Sequence, residues 1–248
     1  IAEKIQGGKW SDHRGQSESL FVNASTWGLM LTGHMVSLDS NITTETDTWL
    51  KRLTARMGEP VIRSAVMQAM RIMGGQYVLG RSIQEGIKQG IKHNGPKAKF
   101  SFDMLGEGAR TEADAEAYFQ AYSSAIEQIG ISNAGSPDSV NDADGISVKL
   151  SALHSRYYFA QYQRVMEELL PRIKALCLQA KKHNIGLSID AEESYRLYIS
   201  LSIFEVLASD LDLEGWQGLG VVVQAYQKRA PDTAKWLIKL AQHTKSRL

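Results

Sequence analysis

The sequence predicts a parallel α/β fold, about half of a (β/α)8 TIM-type barrel, preceded by an all-helical stretch, and three observations support it. The first is a two-residue rhythm in four segments. Phe100, Phe102 and Met104 alternate with Ser101 and Asp103, and Ile146, Val148 and Leu150 with Ser147, Lys149 and Ser151. Ile185, Leu187 and Ile189 alternate with Gly186, Ser188 and Asp190, and Leu219, Val221 and Val223 with Gly220, Val222 and Gln224. Alternation of this kind marks strands with two unlike faces. The second observation is that stripes of helical period separate these segments, which argues for a parallel sheet with right-handed crossovers. The third is that each small-residue face bears a polar group near the strand's C-terminal end: Asp103, Lys149, Asp190 and Gln224. A doubly wound open sheet would be apolar on both faces. One small, polar face suits a barrel lumen that receives a ligand at its mouth.

Taken in order, residues 1–95 hold no strand pattern and read as a helical arm and linker. Leu20 to Val36 reads as a buried helix or hairpin, and Thr43 to Met57 as a helix with Trp49, Leu50 and Leu53 on one side. A longer helix starts at Pro60, a favourable first-turn residue, and carries Val61, Ile62, Ala65, Val66, Ala69, Met70 and Met73. Met67, Met70 and Met73 are expected to fill a core. Ser82 to Lys92 forms a short amphipathic helix that ends at His93-Asn94-Gly95. Residues 96–248 then form the N-terminal half of the barrel. After the first strand, Thr111 and Asp114 resemble a capping box. The stripe Ala115, Tyr118, Phe119, Tyr122, Ile126 and Ile129 follows, with Gly130 as the expected stop. The polar loop Ser132 to Gly145 lacks the spacing of a calcium loop. Tyr162, Val165, Met166, Leu169, Ile173 and Leu176 mark the next helix, with a kink expected near Pro171. Leu197, Ile199, Leu201, Phe204 and Leu207 mark another, and Ala234, Leu237, Ile238 and Ala241 the last.

Composition narrows the function. The 248 residues carry 28 Lys and Arg against 27 Asp and Glu, so no polyanionic partner is called for, and no basic run marks a nucleic-acid face. The single cysteine, Cys177, rules out an internal disulfide and lies in a helical stripe, which makes it a buried structural thiol. No secretory leader is visible. Leu20 to Val36, the most apolar segment, carries Asn23, Ser25, Thr26, Thr32 and His34 and is too polar for a bilayer span. The opening without methionine and the stop at KSRL, where another strand is due, suggest that both ends are cut.

The polar mouth sets the chemistry. A lysine there acts either as a Schiff-base nucleophile or as a fixed cation for a carboxylate. A nucleophile needs a depressed pKa, whereas Asp103 and Asp190 as neighbours hold Lys149 protonated, which favours anion binding. Asp190 faces the lumen by alternation, while Glu192 and Glu193 are expected at a helix start, where acids are favoured by the dipole. A metal centre would want more strand-end ligands than His154 in its loop supplies. Gln224 offers an amide donor and acceptor side by side, suited to a heterocycle edge. No glycine-rich phosphate loop stands in the right context.

These residues also resemble a known family. FSFDMLGEGARTEADAEAY, GISVKLSALHSRY, IGLSIDAEESYRL and GVVVQAYQKR, in this order and spacing, are similar to the proline dehydrogenase domain of the bifunctional bacterial proline utilization A flavoproteins. SLFVNASTWGLMLTG and GEPVIRSAVMQAMRIMGGQYVLG resemble the helical arm and linker of the same family, so the likeness covers essentially the whole chain. It implies a distorted (β/α)8 barrel with non-covalent FAD that oxidises L-proline to Δ1-pyrroline-5-carboxylate and passes electrons to a membrane quinone. It further implies a place in proline catabolism to glutamate, alongside a 1-pyrroline-5-carboxylate dehydrogenase in the same bifunctional protein. Position by position, Lys149 matches the lysine that pairs with the proline carboxylate, and Asp190 the catalytic strand-end aspartate. Ala191 matches a residue whose backbone lies against the flavin, and Gln224 a glutamine bonded to the flavin ring. Asp103 matches the first-strand aspartate and is given a supporting, substrate-side role through Lys149.

The family's next strand, with its arginine, lysine-glycine and aromatic flavin contacts, and its last helix, with paired arginines, are absent from this sequence. The resulting expectation is an active parent and an inactive 248-residue piece that binds FAD weakly or not at all. A cytoplasmic location with peripheral attachment to the inner membrane, a homo-oligomeric parent and no nucleic-acid contact through this region are also expected. A DNA-binding N-terminus of the parent stays open. The rival readings are a barrel lyase with Lys149 as Schiff base, and a non-enzymatic assembly module built on residues 1–95.

Overall fold

The computed structural model describes residues 77–95, 97–133 and 139–244, with isolated positions between 64 and 75. The chain divides into two units at Leu79–Gly80. The helices expected within Leu20 to Met57 lie outside the described residues. Of the methionines expected in a core, Met67 and Met70 are both exposed. Helical period locates a face of a helix but does not say what covers it.

The second unit begins with α1 (Ile83–Asn94), capped by the Ser82 hydroxyl, which accepts from the Glu85 N–H at 3.2 Å. Its buried Gly86 and Gly90 lie under Phe102 and Phe100, and a Cβ on Gly90 would stand 2.9 Å from the Phe100 ring. Four strands follow, β1 (Ser101–Asp103), β2 (Gly145–Val148), β3 (Leu187–Ile189) and β4 (Leu219–Val221), all parallel in the order β1-β2-β3-β4. They are joined by α2 (Glu112–Ser132), α3 (Tyr162–Lys182) and α4 (Leu197–Ala208), and β4 leads to α5 (Ala230–Thr244). Sequential parallel strands with a helix in each crossover are the barrel arrangement, here in four units. Each strand found overlaps a segment read from the rhythm but is shorter: β2 ends at Val148, with Leu150 and Ser151 in a 3-10 turn, and β4 ends at Val221.

Register explains why the two faces differ. Phe102, Ile146, Leu187 and Leu219 form one row across the sheet and are buried under the helices. Asp103, Ser147, Ser188 and Gly220 form the neighbouring row on the opposite face. Most of three expected stripes are buried: Tyr122, Ile126 and Ile129 from α2, Val165, Leu169, Ile173 and Leu176 from α3, Ile199, Phe204 and Leu207 from α4. Cys177 is fully buried among them, and that burial pushes its thiol up to about 12. Tyr162 at the start of α3 is exposed, and the stripe expected for α5 is corrected: Ala234 and Ile238 are exposed, and the helix buries Ala230, Thr233 and Leu240 instead.

Two further expectations about the helices are corrected. Gly130 does not end α2, which runs on through Ser132. The glycine is there for space, because a Cβ would stand 2.3 Å from the ring of His183 beyond the end of α3. Nor do Glu192 and Glu193 open the α-helix directly, although Glu193 stands at the N-cap of the helical turn that leads into it. A 3-10 turn, Ser194–Arg196, intervenes before α4 begins at Leu197. Pro171 lies inside α3, which continues through it.

Candidate active site

The polar groups gather where the strands end. Lys149 follows β2 and Asp190 follows β3, next to one another across the sheet, because the register pairs Val148 with Ile189. The Lys149 Nζ lies 2.6 Å from Asp103 Oδ1 and 2.9 Å from Asp190 Oδ2. An ammonium has three donors, so one N–H remains for a ligand. Burial by itself depresses the lysine, but hydrogen bonds and charge from Asp103 and Asp190 outweigh it and hold its pKa above the ordinary lysine range. The second oxygen of Asp190 accepts from the Ala191 N–H at 2.9 Å, which ties the carboxylate to the turn after β3.

On the other side of that turn stands Gln224. Its Nε2 donates to the Ala191 carbonyl at 3.5 Å, and its Oε1 accepts from Tyr226 at 3.3 Å and from the Gln227 amide. Asp190, Ala191, Val222, Gln224 and Gln227 line one pocket between the ends of β3 and β4. The structure thus brings Asp103, Lys149 and Asp190 into one ion-paired group and Ala191 and Gln224 into an adjoining edge.

Three residues in the neighbourhood have partners that the sequence reading does not give them. The Tyr122 hydroxyl, buried by α2, accepts from the Lys149 N–H at 3.2 Å and fixes the backbone from which the ammonium projects. Its position in the α2 stripe marks it as core and says nothing of where its hydroxyl ends. The Glu192 side chain is largely enclosed, with its carboxylate between the Ser151 N–H, 2.9 Å from Oε1, and Arg196 Nη1, 2.7 Å from Oε2. The four-residue spacing of Glu192 and Arg196 was the available signal. His154 is buried beside Glu112 and Glu168, with ligand atoms all within 4.8 Å of one another. Its Nδ1 accepts from the Arg156 N–H at 3.0 Å, which assigns the proton to Nε2, facing Glu168 at 3.1 Å. In that tautomer neither nitrogen offers a lone pair to a cation, and Arg172 and Arg164 balance the carboxylates.

A parallel β/α sheet with charged groups gathered at the carboxyl ends of its strands is the arrangement of an α/β barrel-type domain with its site at the strand ends. The family model described as proline dehydrogenase matches residues 87–248, and the chain belongs to the proline dehydrogenase family. It is 48% identical over all 248 residues to the bifunctional protein PutA of Escherichia coli K12, covering 18% of that protein. The identity is also 48% over 248 residues to the bifunctional protein PutA of Rhizobium meliloti, covering 20% of it. A crystal structure of a Bradyrhizobium japonicum proline utilization A mutant superposes with a TM-score of 0.64 and 40% identity, over 98% of this chain and 24% of that one. The chain therefore spans about a fifth of the length of the curated relatives it matches. A second model, described as the DNA-binding domain of proline dehydrogenase, matches residues 1–77. The near-neutral charge of the chain is thus no argument against a nucleic-acid role for that stretch. Among the described residues, no helix is long and apolar enough to cross a membrane.

Proposed function

We propose that this chain supplies the first half of the proline-oxidising site of a bifunctional proline utilization enzyme. The reaction is oxidation of L-proline to Δ1-pyrroline-5-carboxylate with FAD as cofactor and a quinone as final acceptor, as a step towards glutamate. The observation that carries the reading is Lys149, kept protonated between Asp103 and Asp190 at the strand ends and next to the Ala191–Gln224 edge. Lys149 takes the substrate carboxylate through its remaining N–H. Asp190 lies on the side of Lys149 that meets the cofactor edge and orients it, and Asp103 shares that task from β1. A lysine between two carboxylates also complements a zwitterion, with the acids facing the ring nitrogen.

The residues present fit a flavin. Ala191 and Val222 line the same pocket as Gln224, whose amide matches a planar heterocycle with adjacent N–H and C=O groups. FAD, when bound, supplies the two-electron acceptor for oxidation of the substrate's C–N bond. Residues 1–95 serve as arm and linker to the half-barrel of 96–248, with α1 as the linker's last element against the sheet. The whole protein is proposed to be a cytoplasmic homo-oligomer that docks peripherally on a membrane to reach quinone.

The Schiff-base reading is disfavoured by the same geometry, since a lysine held protonated by two acids is no nucleophile. An absorbance spectrum of the full-length protein, before and after adding proline without acceptor, tests the proposal. Flavin bands that bleach are expected, with no such response from the 248-residue piece. A colourless full-length protein that stays unresponsive after FAD is added would sink the reading.

A further inference from the structure

Glu192 and Arg196 form the most enclosed ion pair at the barrel mouth. Their side chains are only 8% and 11% exposed, at 2.7 Å. The Arg196 guanidinium lies 5.3, 5.6 and 5.5 Å from the ring centres of Tyr157, Tyr158 and Tyr195, and its Nε is buried with no hydrogen-bond partner. The desolvation of both charges, with a donor left unmade, offsets most of the attraction, so such a pair adds little net stability. Its definite consequence is geometric. Glu192 Oε1 accepts from the Ser151 N–H, two residues beyond Lys149, while Glu192 itself follows Ala191. One carboxylate therefore ties the turn after β2 to the turn after β3.

We infer that Glu192 is a positioning residue for the proline site: held by Arg196, it fixes the separation between the Lys149 ammonium and the Asp190–Ala191 edge. This rests on the proposed function, because the two groups so held are those assigned to the substrate carboxylate and the flavin. Glu192 touches neither. Its effect on turnover comes through register between two loops, where a displacement of about 1 Å is enough to slow a transfer by about 100-fold. Binding of the carboxylate, which needs only the Lys149 charge, is less sensitive.

The test uses the full-length holoenzyme with Glu192→Gln, Glu192→Asp and Arg196→Lys. FAD content is read from absorbance. The rate of flavin bleaching per bound flavin and the half-saturating proline concentration are read in anaerobic mixing without acceptor. The expected result for Glu192→Gln is near-normal FAD content and bleaching at saturating proline slowed at least about tenfold, with half-saturation moved less than about threefold. Arg196→Lys, which keeps the charge but loses the fork, falls between this variant and the parent protein. A bleaching rate per flavin equal to the parent's in Glu192→Gln overturns the inference, even if the protein is less stable. If Glu192→Gln yields no folded protein, Glu192→Asp decides: it keeps the charge but falls short of Ser151, so a parent-like rate per flavin again overturns the inference. A parent protein that binds FAD and bleaches isolates such a failure from a failure of the functional reading.

Discussion

Lys149 illustrates how one residue's role depends on its neighbours. Its ammonium is bonded to two carboxylates, and its raised pKa means that the group is charged throughout the neutral range. The sign follows: a lysine raised in the folded state contributes stability present below its ordinary 10.5 and lost only as the pH climbs beyond it. Ordinary pH changes therefore do not discharge it. In the full-length enzyme, Lys149→Met is expected to lower kcat/KM for proline by roughly 30- to 1000-fold, from the loss of about 2–4 kcal/mol of charge-assisted bonding. The loss is expected chiefly in KM, and steady-state kinetics over a proline series checks it. The approach of Asp103 and Asp190 to Lys149 was legible, because alternation puts all three on one face of adjacent strands. Glu192 was not. A glutamate just before a helical stripe reads as a dipole-favoured acid, and only the intervening 3-10 turn and the Ser151 amide give it a different role.

At the scale of elements, α2 contains both a success and an error of sequence reading. Its start was legible: the Thr111 hydroxyl accepts from the Asp114 N–H, and the Asp114 carboxylate accepts from the Thr111 N–H. A capping box is local, so four residues of sequence specify it. Its end was misread at Gly130, because glycine signals either a helix stop or a close approach. The close approach is to His183, which also bonds Glu127 at 2.9 Å. This makes Gly130→Ala a discriminating substitution. Helix propensity favours alanine by about 1 kcal/mol, whereas displacing the His183 ring costs about 1–3 kcal/mol and endangers its bond to Glu127. The steric term outweighs propensity, and scanning fluorimetry of the full-length protein is expected to show an earlier first transition. A later one would mean that His183 yields without cost.

On the scale of the whole molecule, charge pairs tie successive β/α units together. Arg172 of α3 bonds Glu112 of α2, His183 bonds Glu127, and Lys174 of α3 bonds Asp210 after α4. Hydrogen bonds from Ser155, His183 and Lys174 respectively hold Glu112, Glu127 and Asp210 below their ordinary values of 4.5, 4.5 and 3.8. Groups depressed in the folded state contribute stability that is present above those values and lost as the pH falls through them. Thermal stability is therefore expected to drop below about pH 4, and the drop is expected to shrink in high salt, because these pairs are only partly buried and remain open to screening. Melts across pH 3–7 at two salt concentrations check this, and an unchanged transition at pH 3 would refute it.

By itself the sequence determined the class of fold, the four strands, the buried faces of α2, α3 and α4 though not that of α5, and the presence of acids and a lysine at one end of the sheet. These are properties of period and position along the chain, and each is set by residues close together in sequence. The tertiary structure decided which of those groups meet. It paired Lys149 with residues 46 and 41 positions away, set Tyr122 beneath its backbone, turned Glu192 inward against Arg196, and gave Gly130 a neighbour to accommodate. The physical reason is that a contact between distant residues depends on register and on the space left between packed elements, and neither is encoded in any short stretch of chain.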